Sequence, residues 1–189
     1  MLPESWTILR LPRSHWHAQL NNFEWASVTP RALKVEIEKF VAATESGLAP
    51  HLVLTGAPGI GKSHLGAGCY RTLSVTFGTE LVTWLNVPHF CELVKRSYSD
   101  GTDPWADVEG ARRLIVLDDL FGRALSPHEA DQIVYRLIDT AYRGGSAIIA
   151  NMNQDVSELP SRLAGHEVSR LLASATIIPM AAGKDWRRK

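Results

Sequence analysis

The sequence is poor in cysteine and has no long apolar run. Its 189 residues include two cysteines, Cys69 and Cys91, which lie in apolar contexts and form no C-x-x-C pair. We therefore predict two buried, reduced thiols, with a disulfide as the alternative. No apolar run is long enough to cross a membrane, and prolines, arginines and histidines stand where a secretory signal needs an apolar core. These features argue against a membrane or secreted protein and predict a cytoplasmic one.

The chain also has no excess of charge of one sign. Lysine and arginine together number 20, as do aspartate and glutamate, so the formal net charge is +0. Such a balance gives the chain no overall attraction to nucleic acid or to an anionic membrane. Any contact with DNA must come from a local basic patch. The candidate patches are Lys95 with Arg96, Arg112 with Arg113, and the group Lys184, Arg187, Arg188 and Lys189.

One glycine-rich stretch fits the phosphate-binding pattern G-x-x-x-x-G-K-[ST] at every fixed position. The apolar run 52–54 precedes it and predicts a strand, while the proline-free stretch 62–75 predicts a helix. Glycines allow the tight turn, and backbone N–H groups at a helix N-terminus bind phosphate. Lysine would reach the β- and γ-phosphates, and serine would ligate Mg²⁺. The predicted nucleotide-binding residues are Gly56, Ala57, Pro58, Gly59, Ile60, Gly61, Lys62, Ser63 and His64. The alternative is a glycine-rich turn that matches by chance.

Five short apolar segments alternate with helical patterns along the rest of the chain. This alternation predicts an α/β fold, a three-layer sandwich with a mainly parallel five-stranded sheet. Thr29 and Pro30 offer an N-cap and first position for a helix, and Ser126 with Glu129 predicts a capping box for another. The predicted strands are 52–54, 81–86, 114–118, 147–150 and 176–179, and the predicted helices are 30–44, 62–75, 88–98, 126–141 and 160–172.

Residues 1–28 are rich in tryptophan, histidine and proline and show no sustained period. We predict that they form an arm packed on a single P-loop domain at 29–189. Phe23 to Trp25 are candidates for the wall of an adenine site. His15 and His17 could form half a metal site, but no further ligands accompany them at metal-binding spacing.

Polar residues follow two of the predicted strands. Asp118 ends a strand of branched apolar residues, and a carboxylate there would hold Mg²⁺ opposite Ser63. Asp119 would orient and deprotonate the attacking water, with a cap of the following turn as the alternative. Asn151 ends the next strand, where an amide would bond the γ-phosphate and the water, with a plain Asn-Met-Asn turn as the alternative.

Taken together, these motifs resemble the AAA+ ATPases, specifically the DnaC/IstB-like branch. By this resemblance Lys62 and Ser63 belong to the Walker A motif, Asp118 and Asp119 to the Walker B motif, and Asn151 is sensor 1. Arg170 would be the arginine finger that reaches a neighbouring subunit's γ-phosphate. The matching segments are LNNF (20–23), GAPGIGKSHL (56–65), LIVLDDLFG (114–122), IIANMN (148–153), SRLL (169–172) and GKDWR (183–187).

The resemblance implies an ATPase that uses ATP and Mg²⁺ and forms a homo-oligomer on DNA without sequence preference. A replicative helicase or a transposase would be the protein partner, in DNA replication or transposition. The chain departs from the family at three points. His64 stands where the family usually has Ser, Thr or His beside a Thr, and Asp119 replaces the commoner glutamate, which predicts slow hydrolysis. The third is the expected absence of a separate helicase-binding domain before residue 29. We also expect no helical lid domain after the P-loop domain.

Two other functions remain open at this stage. A small-molecule P-loop kinase needs an acceptor pocket and usually an arginine-rich lid, and the polar segment 97–109, predicted to be a loop, contains no arginine. An ATP-dependent adaptor would bind nucleotide, hydrolyse it hardly at all, and present a surface to a protein partner.

Overall fold

Five parallel strands form the central sheet. The computed structural model describes residues 11–122, 125–126, 128–182 and 185. The predicted α/β sandwich is therefore confirmed, with a sheet that is entirely parallel. Its strands are β2 (His51–Thr55), β3 (Val82–Asn86), β4 (Leu114–Asp118), β5 (Ala147–Met152) and β6 (Ala175–Pro179). They lie side by side in the order β3-β4-β5-β2-β6. A separate antiparallel pair joins β1 (Val28–Thr29) to β7 (Ala181–Ala182).

Helices cover both faces of the sheet, and alternation along the buried strands decides which residues meet them. The helices are α1 (Leu33–Glu45), α2 (Lys62–Phe77), α3 (Val87–Asp100), α4 (Ala106–Gly110), α5 (Tyr135–Gly144), α6 (Leu159–Arg162) and α7 (Gly165–Leu172). Leu52 and Leu54 of β2 belong to the core beneath α1 and α2, whereas Val53 between them belongs to the core beneath α3, α5 and α7. Both cysteines are buried and neither forms a disulfide, as predicted, and burial raises the pKa of the Cys69 thiol to about 12.

The start of α1 differs from the prediction. The helix begins at Leu33 with Ala32 as its N-cap, not at Pro30. Thr29 lies in β1 instead, where its hydroxyl donates a hydrogen bond to the carbonyl of Ala181 at 3.4 Å. A cap signal in the sequence competes here with strand pairing to a distant segment, and the pairing prevails.

The capping box at Ser126 is confirmed. The backbone N–H of Ser126 donates to Glu129 Oε2 at 2.8 Å, and the N–H of Glu129 donates to Ser126 Oγ at 3.2 Å. A π-helix, Glu129–Val134, follows before α5 begins. Lys95 of α3 pairs with the buried carboxylate of Glu129 at 2.7 Å. The segment 97–109 is more helical than predicted, because α3 continues to Asp100 and α4 lies within it.

Several predicted features lie outside the described residues. These are residues 1–10, Pro127 and the basic residues Lys184, Arg187, Arg188 and Lys189. Within the part of the chain that is described, no helix is both long and apolar enough to span a membrane.

A buried histidine joins the start of the P-loop strand to α7. His51 is 4% exposed, and its Nδ1 donates a hydrogen bond to the carbonyl of Leu171 at 2.8 Å. Burial lowers the pKa of His51 below its ordinary value of 6.5, while the carbonyls of Leu171 and Arg170 oppose that shift. The folded protein therefore holds His51 as a neutral imidazole.

We predict that the protein loses stability in acid through His51. The unfolded chain binds a proton near pH 6.5, whereas the folded chain resists it. The stabilising contribution is therefore complete above that pH and is lost as pH falls through the lower folded-state pKa. Urea unfolding at about pH 7.5 and about pH 5.5 measures the loss. His51→Asn keeps an N–H donor without a titrating ring and should shrink the difference, whereas His17→Asn at an exposed position should not. Equal pH dependence in the wild type and His51→Asn would contradict the prediction.

Candidate functional site

The phosphate-binding motif forms the loop between β2 and α2, as its position in the sequence predicts. Gly61 is the N-cap of α2 and has a φ of 103°. Within the described residues, no side chain caps this end of the helix. A side chain at Gly61 would also meet the Phe23 ring, which lies 2.7 Å from the ideal Cβ position. Lys62 is 6% exposed, and its ammonium donates to the carbonyls of Gly56 and Ala57 at 2.7 and 2.8 Å. The helix N-terminus and the lysine together make this loop attractive to anions.

Asp118 and Asn151 form the polar end of the site. Both are buried, at 5% and 1% exposure, and Asn151 Nδ2 donates a hydrogen bond to Asp118 Oδ1 at 2.9 Å. Strand β5 lies between β2 and β4, so Asn151 stands between the P-loop strand and Asp118. The amide oxygen of Asn151 is buried and has no hydrogen-bond partner among the described residues, so one buried acceptor beside Asp118 is left unsatisfied.

Asp119 has an uncommon backbone. Its φ is 58°, a left-handed conformation that aspartate tolerates better than most residues. Its carboxylate packs against Gly122, whose N–H donates to the Asp119 carbonyl at 2.8 Å. Asp119 also lines the cavity described next, so both sequence-based interpretations, a site residue and a turn residue, have a structural counterpart.

One cavity of about 750 Å³ brings most of the predicted site residues together. P-loop and α2 residues form one wall and the acidic end of the sheet another. Residues from the N-terminal segment and from the β3–α3 junction, which sequence reasoning missed, complete it. The lining consists of Gly59, Gly61, Lys62, Ser63, His64, Asp118, Asp119, Asn151 and Asn153, together with Pro12, Ser14, His15, Asn86 and His89. Asn86 carries a detectable signal, since it ends a parallel strand as Asp118 does, whereas the sequence marks His15 only as a possible metal ligand with His17 and not as part of this cavity.

Arg170 does not line this cavity. It lies on α7, where its Nη1 is 2.6 Å from Asp139 Oδ1, although neither atom has a hydrogen bond of acceptable geometry. Its guanidinium lies 5.6 Å from the ring centroids of both Tyr135 and Tyr142. The predicted arginine finger is thus held at the α5–α7 surface, away from the nucleotide site of its own chain.

The predicted basic patches are partly occupied by contacts within the chain. Lys95 compensates the buried Glu129, and the Arg113 guanidinium lies 5.0 Å from the centre of the Phe77 ring. Arg96 and Arg112 are exposed. The patch Lys95 with Arg96 and the patch Arg112 with Arg113, which lie within the described residues, therefore each offer one exposed arginine.

An aromatic cluster borders the P-loop at residues 19–25. Phe23 packs edge-on against Trp25 and against His64, with centroids 4.7 and 5.5 Å apart. His64 Nε2 lies 3.0 Å from the carbonyl of Gln19 and 2.9 Å from Asn22 Oδ1. Since both partners are acceptors, this nitrogen carries the proton. The P-loop helix is thereby fixed to the segment that precedes the domain.

The segment 11–28 lies along α2. Leu20 packs on Gly68, and Arg71 donates a hydrogen bond to the carbonyl of Trp16. The Trp16 indole N–H in turn donates to the Leu11 carbonyl at 2.9 Å. Small residues on α2 allow this close approach of backbone to backbone.

Comparison with solved structures finds this fold in replication proteins. The structure resembles that of the DnaC helicase loader, with 21% identity, a TM-score of 0.77, and coverage of 90% of this chain and 100% of that one. The structure of DnaI has 19% identity, a TM-score of 0.71, and coverage of 92% of this chain and 96% of that one. The structure of the replication initiator DnaA bound to AMPPCP and single-stranded DNA has 20% identity, a TM-score of 0.70, and coverage of 90% of this chain and 52% of that one. This chain therefore spans about half of that DnaA chain. No protein-family model and no curated protein sequence matches. The chain therefore shares the fold of these solved structures.

We predict that Gly68→Ala displaces the segment 11–28 from α2. The new Cβ would lie 2.8 Å from Leu20 Cδ2 and 3.0 Å from the Leu20 backbone nitrogen, and the backbone cannot move without shifting its neighbours. The free energy of unfolding should fall by about 1–3 kcal/mol, and limited proteolysis should cut within 11–28 sooner. Gly165→Ala is the matched control, because nothing lies within 4 Å of that position. Equal stability and equal cleavage of the two variants would show that Leu20 does not fix the segment.

Proposed function

We propose that this chain binds ATP with Mg²⁺, hydrolyses it slowly, and assembles with further copies on DNA as a DnaC/IstB-like AAA+ protein. Its role would be to assist DNA replication, by helicase loading, or transposition. The observation that carries the proposal is the single cavity in which the P-loop, Asp118 and Asn151 meet. The similar DnaA structure contains AMPPCP, which supports nucleotide binding at this fold.

The residues at the polar end suit a magnesium ion. Mg²⁺ prefers oxygen ligands and keeps several waters. One hydroxyl and one carboxylate from the protein, together with the nucleotide phosphates, therefore suffice as its other ligands. Ser63 and Asp118 line the same cavity. The amide oxygen of Asn151, which has no partner among the described residues, would accept a hydrogen bond from a water bound to the ion. In this role the ion neutralises charge on the phosphates.

Hydrolysis depends on Asp119 in this proposal. A general base must come within hydrogen-bond reach of the attacking water. The Asp119 carboxylate is one methylene shorter than glutamate and packs against Gly122, so slow hydrolysis is expected. The same observation favours a second candidate, an ATP-dependent adaptor that binds nucleotide and scarcely hydrolyses it.

Arg170 would complete the site of a neighbouring copy. Its position outside its own cavity is compatible with action in trans, and its pairing with Asp139 holds the guanidinium in one orientation at the surface. Arg96 and Arg112 supply exposed positive charge for DNA phosphates. The similar structures include a helicase loader and an initiator with single-stranded DNA, which supports partners of the same kinds.

Lys62→Ala should abolish ATP binding, because the P-loop loses the cation that contacts the β- and γ-phosphates. Isothermal titration with ATP and Mg²⁺ measures the loss. Lys39→Ala is the control, since Lys39 is an exposed lysine on α1 that pairs with Glu36 at 2.9 Å. Unaltered binding by Lys62→Ala would falsify the nucleotide-site assignment.

Arg170→Ala should bind ATP normally and lose ATP hydrolysis, because a trans-acting arginine is worth about 10³–10⁵ in rate. Mixing Arg170→Ala with Lys62→Ala subunits should restore part of the activity, since one supplies an intact nucleotide site and the other an intact arginine. Arg136→Ala is the matched control: Arg136 also pairs with an acid, Glu109, and packs on a ring, Trp105. The trans role is wrong if the mixture stays inactive while the two variants co-assemble with each other in ATP and on DNA.

A further inference from the structure

A four-residue turn, 119–122, follows β4 and begins with Asp119. The N–H of Gly122 donates a hydrogen bond to the carbonyl of Asp119 at 2.8 Å, which closes the turn. The N–H of Leu120 donates to the carbonyl of Asn151 at 2.9 Å, so the end of β5 holds one side of the turn. These two bonds share the peptide unit between Asp119 and Leu120, whose N–H and C=O are therefore both paired.

Gln154 holds the other side of the turn. Its Nε2 donates to the carbonyl of Phe121 at 3.0 Å, and the peptide unit of that carbonyl also contains the Gly122 N–H. Three hydrogen bonds thus run in series through the turn, from Gln154 at one end to the Asn151 carbonyl at the other. Hydrogen bonds in such a series polarise and strengthen one another. The turn is therefore held between two residues of the segment 151–154.

The orientation of the Gln154 amide follows from its partner. A carbonyl oxygen only accepts hydrogen bonds, so the amide nitrogen must face Phe121. The amide oxygen is buried and has no hydrogen-bond partner within the described residues, and a buried acceptor without a partner costs free energy. Packing alone would be better served by an apolar side chain, so the donated hydrogen bond is what a glutamine adds at this position.

The backbone of Asp119 explains why the turn needs this support. Its φ of 58° lies in the left-handed region, which a non-glycine residue keeps only where its surroundings hold it. Leu120 and Phe121 are buried in the core, and their side chains anchor the middle of the turn. The hydrogen bonds fix the direction of the peptide units, and the direction of the Asp119 side chain, which lines the cavity, follows from that backbone.

We infer that Gln154 is a positioning residue of the candidate site: its amide fixes the turn 119–122 and so keeps the Asp119 carboxylate at the cavity. Gln154 is not among the residues that line the cavity, and it acts through Asp119. Asn151 holds Asp118 by a 2.9 Å hydrogen bond, so the end of β5 and the loop after it position both acids. The inference rests on the proposed hydrolysis of ATP and names a further residue on which its rate depends.

Gln154→Ala removes the donor and should lower kcat for ATP hydrolysis by about three- to tenfold, the effect of one hydrogen bond, while the Kd for ATP stays unchanged. A fall in kcat at constant affinity separates a displaced carboxylate from a damaged nucleotide site. Gln132→Ala is the matched control, because Gln132 is an exposed glutamine of the π-helix. The Leu120 and Gly122 amides should exchange hydrogen faster in Gln154→Ala, a measurement that does not depend on hydrolysis.

Gln154→Glu gives a second test, because a carboxyl group donates a hydrogen bond only when it is protonated. Relative to the wild type at the same pH, the ATPase rate of this variant should be low at about pH 8 and should recover as the pH falls towards about 6, since burial raises the pKa of a carboxyl group. A residue that only fills space would show no such recovery.

A wild-type kcat in Gln154→Ala would overturn the inference. Parallel losses of kcat, ATP affinity and unfolding temperature in Gln154→Ala and Gln154→Glu at every pH would also overturn it, because they would make Gln154 a packing residue. A different result separates the two proposals: if the wild type binds ATP and hydrolyses none, while the Leu120 and Gly122 amides still exchange faster in Gln154→Ala, the proposed hydrolysis fails and the positioning of the turn stands.

Discussion

The position of β5 between β2 and β4 is the constraint on which the site depends. Parallel strands end at a common edge, and this order places the Asn151 amide between the P-loop and Asp118, joined to the carboxylate by a 2.9 Å hydrogen bond. Both side chains are buried, where a charged carboxylate needs a donor or cation as partner. The amide supplies one donor, and its own oxygen is buried without a hydrogen-bond partner among the described residues.

The central sheet and the P-loop could be predicted because their signals are local. The runs around Leu52 to Leu54 and Leu114 to Asp118 are bounded by turn residues and are buried on both faces, and the glycine-rich motif fits a loop that only one geometry satisfies. Burial of apolar strands and the backbone requirements of a tight turn do not depend on distant residues. The α/β architecture follows from them.

The rest of the site depends on contacts between segments far apart in the chain. Thr29 carries a helix-cap signal but pairs with Ala181. Its strand, β1, is only two residues long, which is too short for an alternation of apolar and polar residues to predict it. His15 reaches the cavity because Leu20 and Trp16 pack on α2, an arrangement that no local pattern encodes. Arg170 lies on a helix that sequence reasoning could place, yet its pairing with Asp139 of α5 appears only once the helices are packed.

His51 gives the P-loop strand a mechanical role. The strand is hydrogen-bonded at its first residue to the Leu171 carbonyl, one residue from Arg170, and continues at its other end into the phosphate loop. Five extended residues span about 16 Å, and a strand buried in the middle of a sheet does not bend. Its two ends meet the glycine-rich loop and the α7 carbonyl that accepts from His51. A displacement of α7 would therefore reach the loop through one short, rigid element.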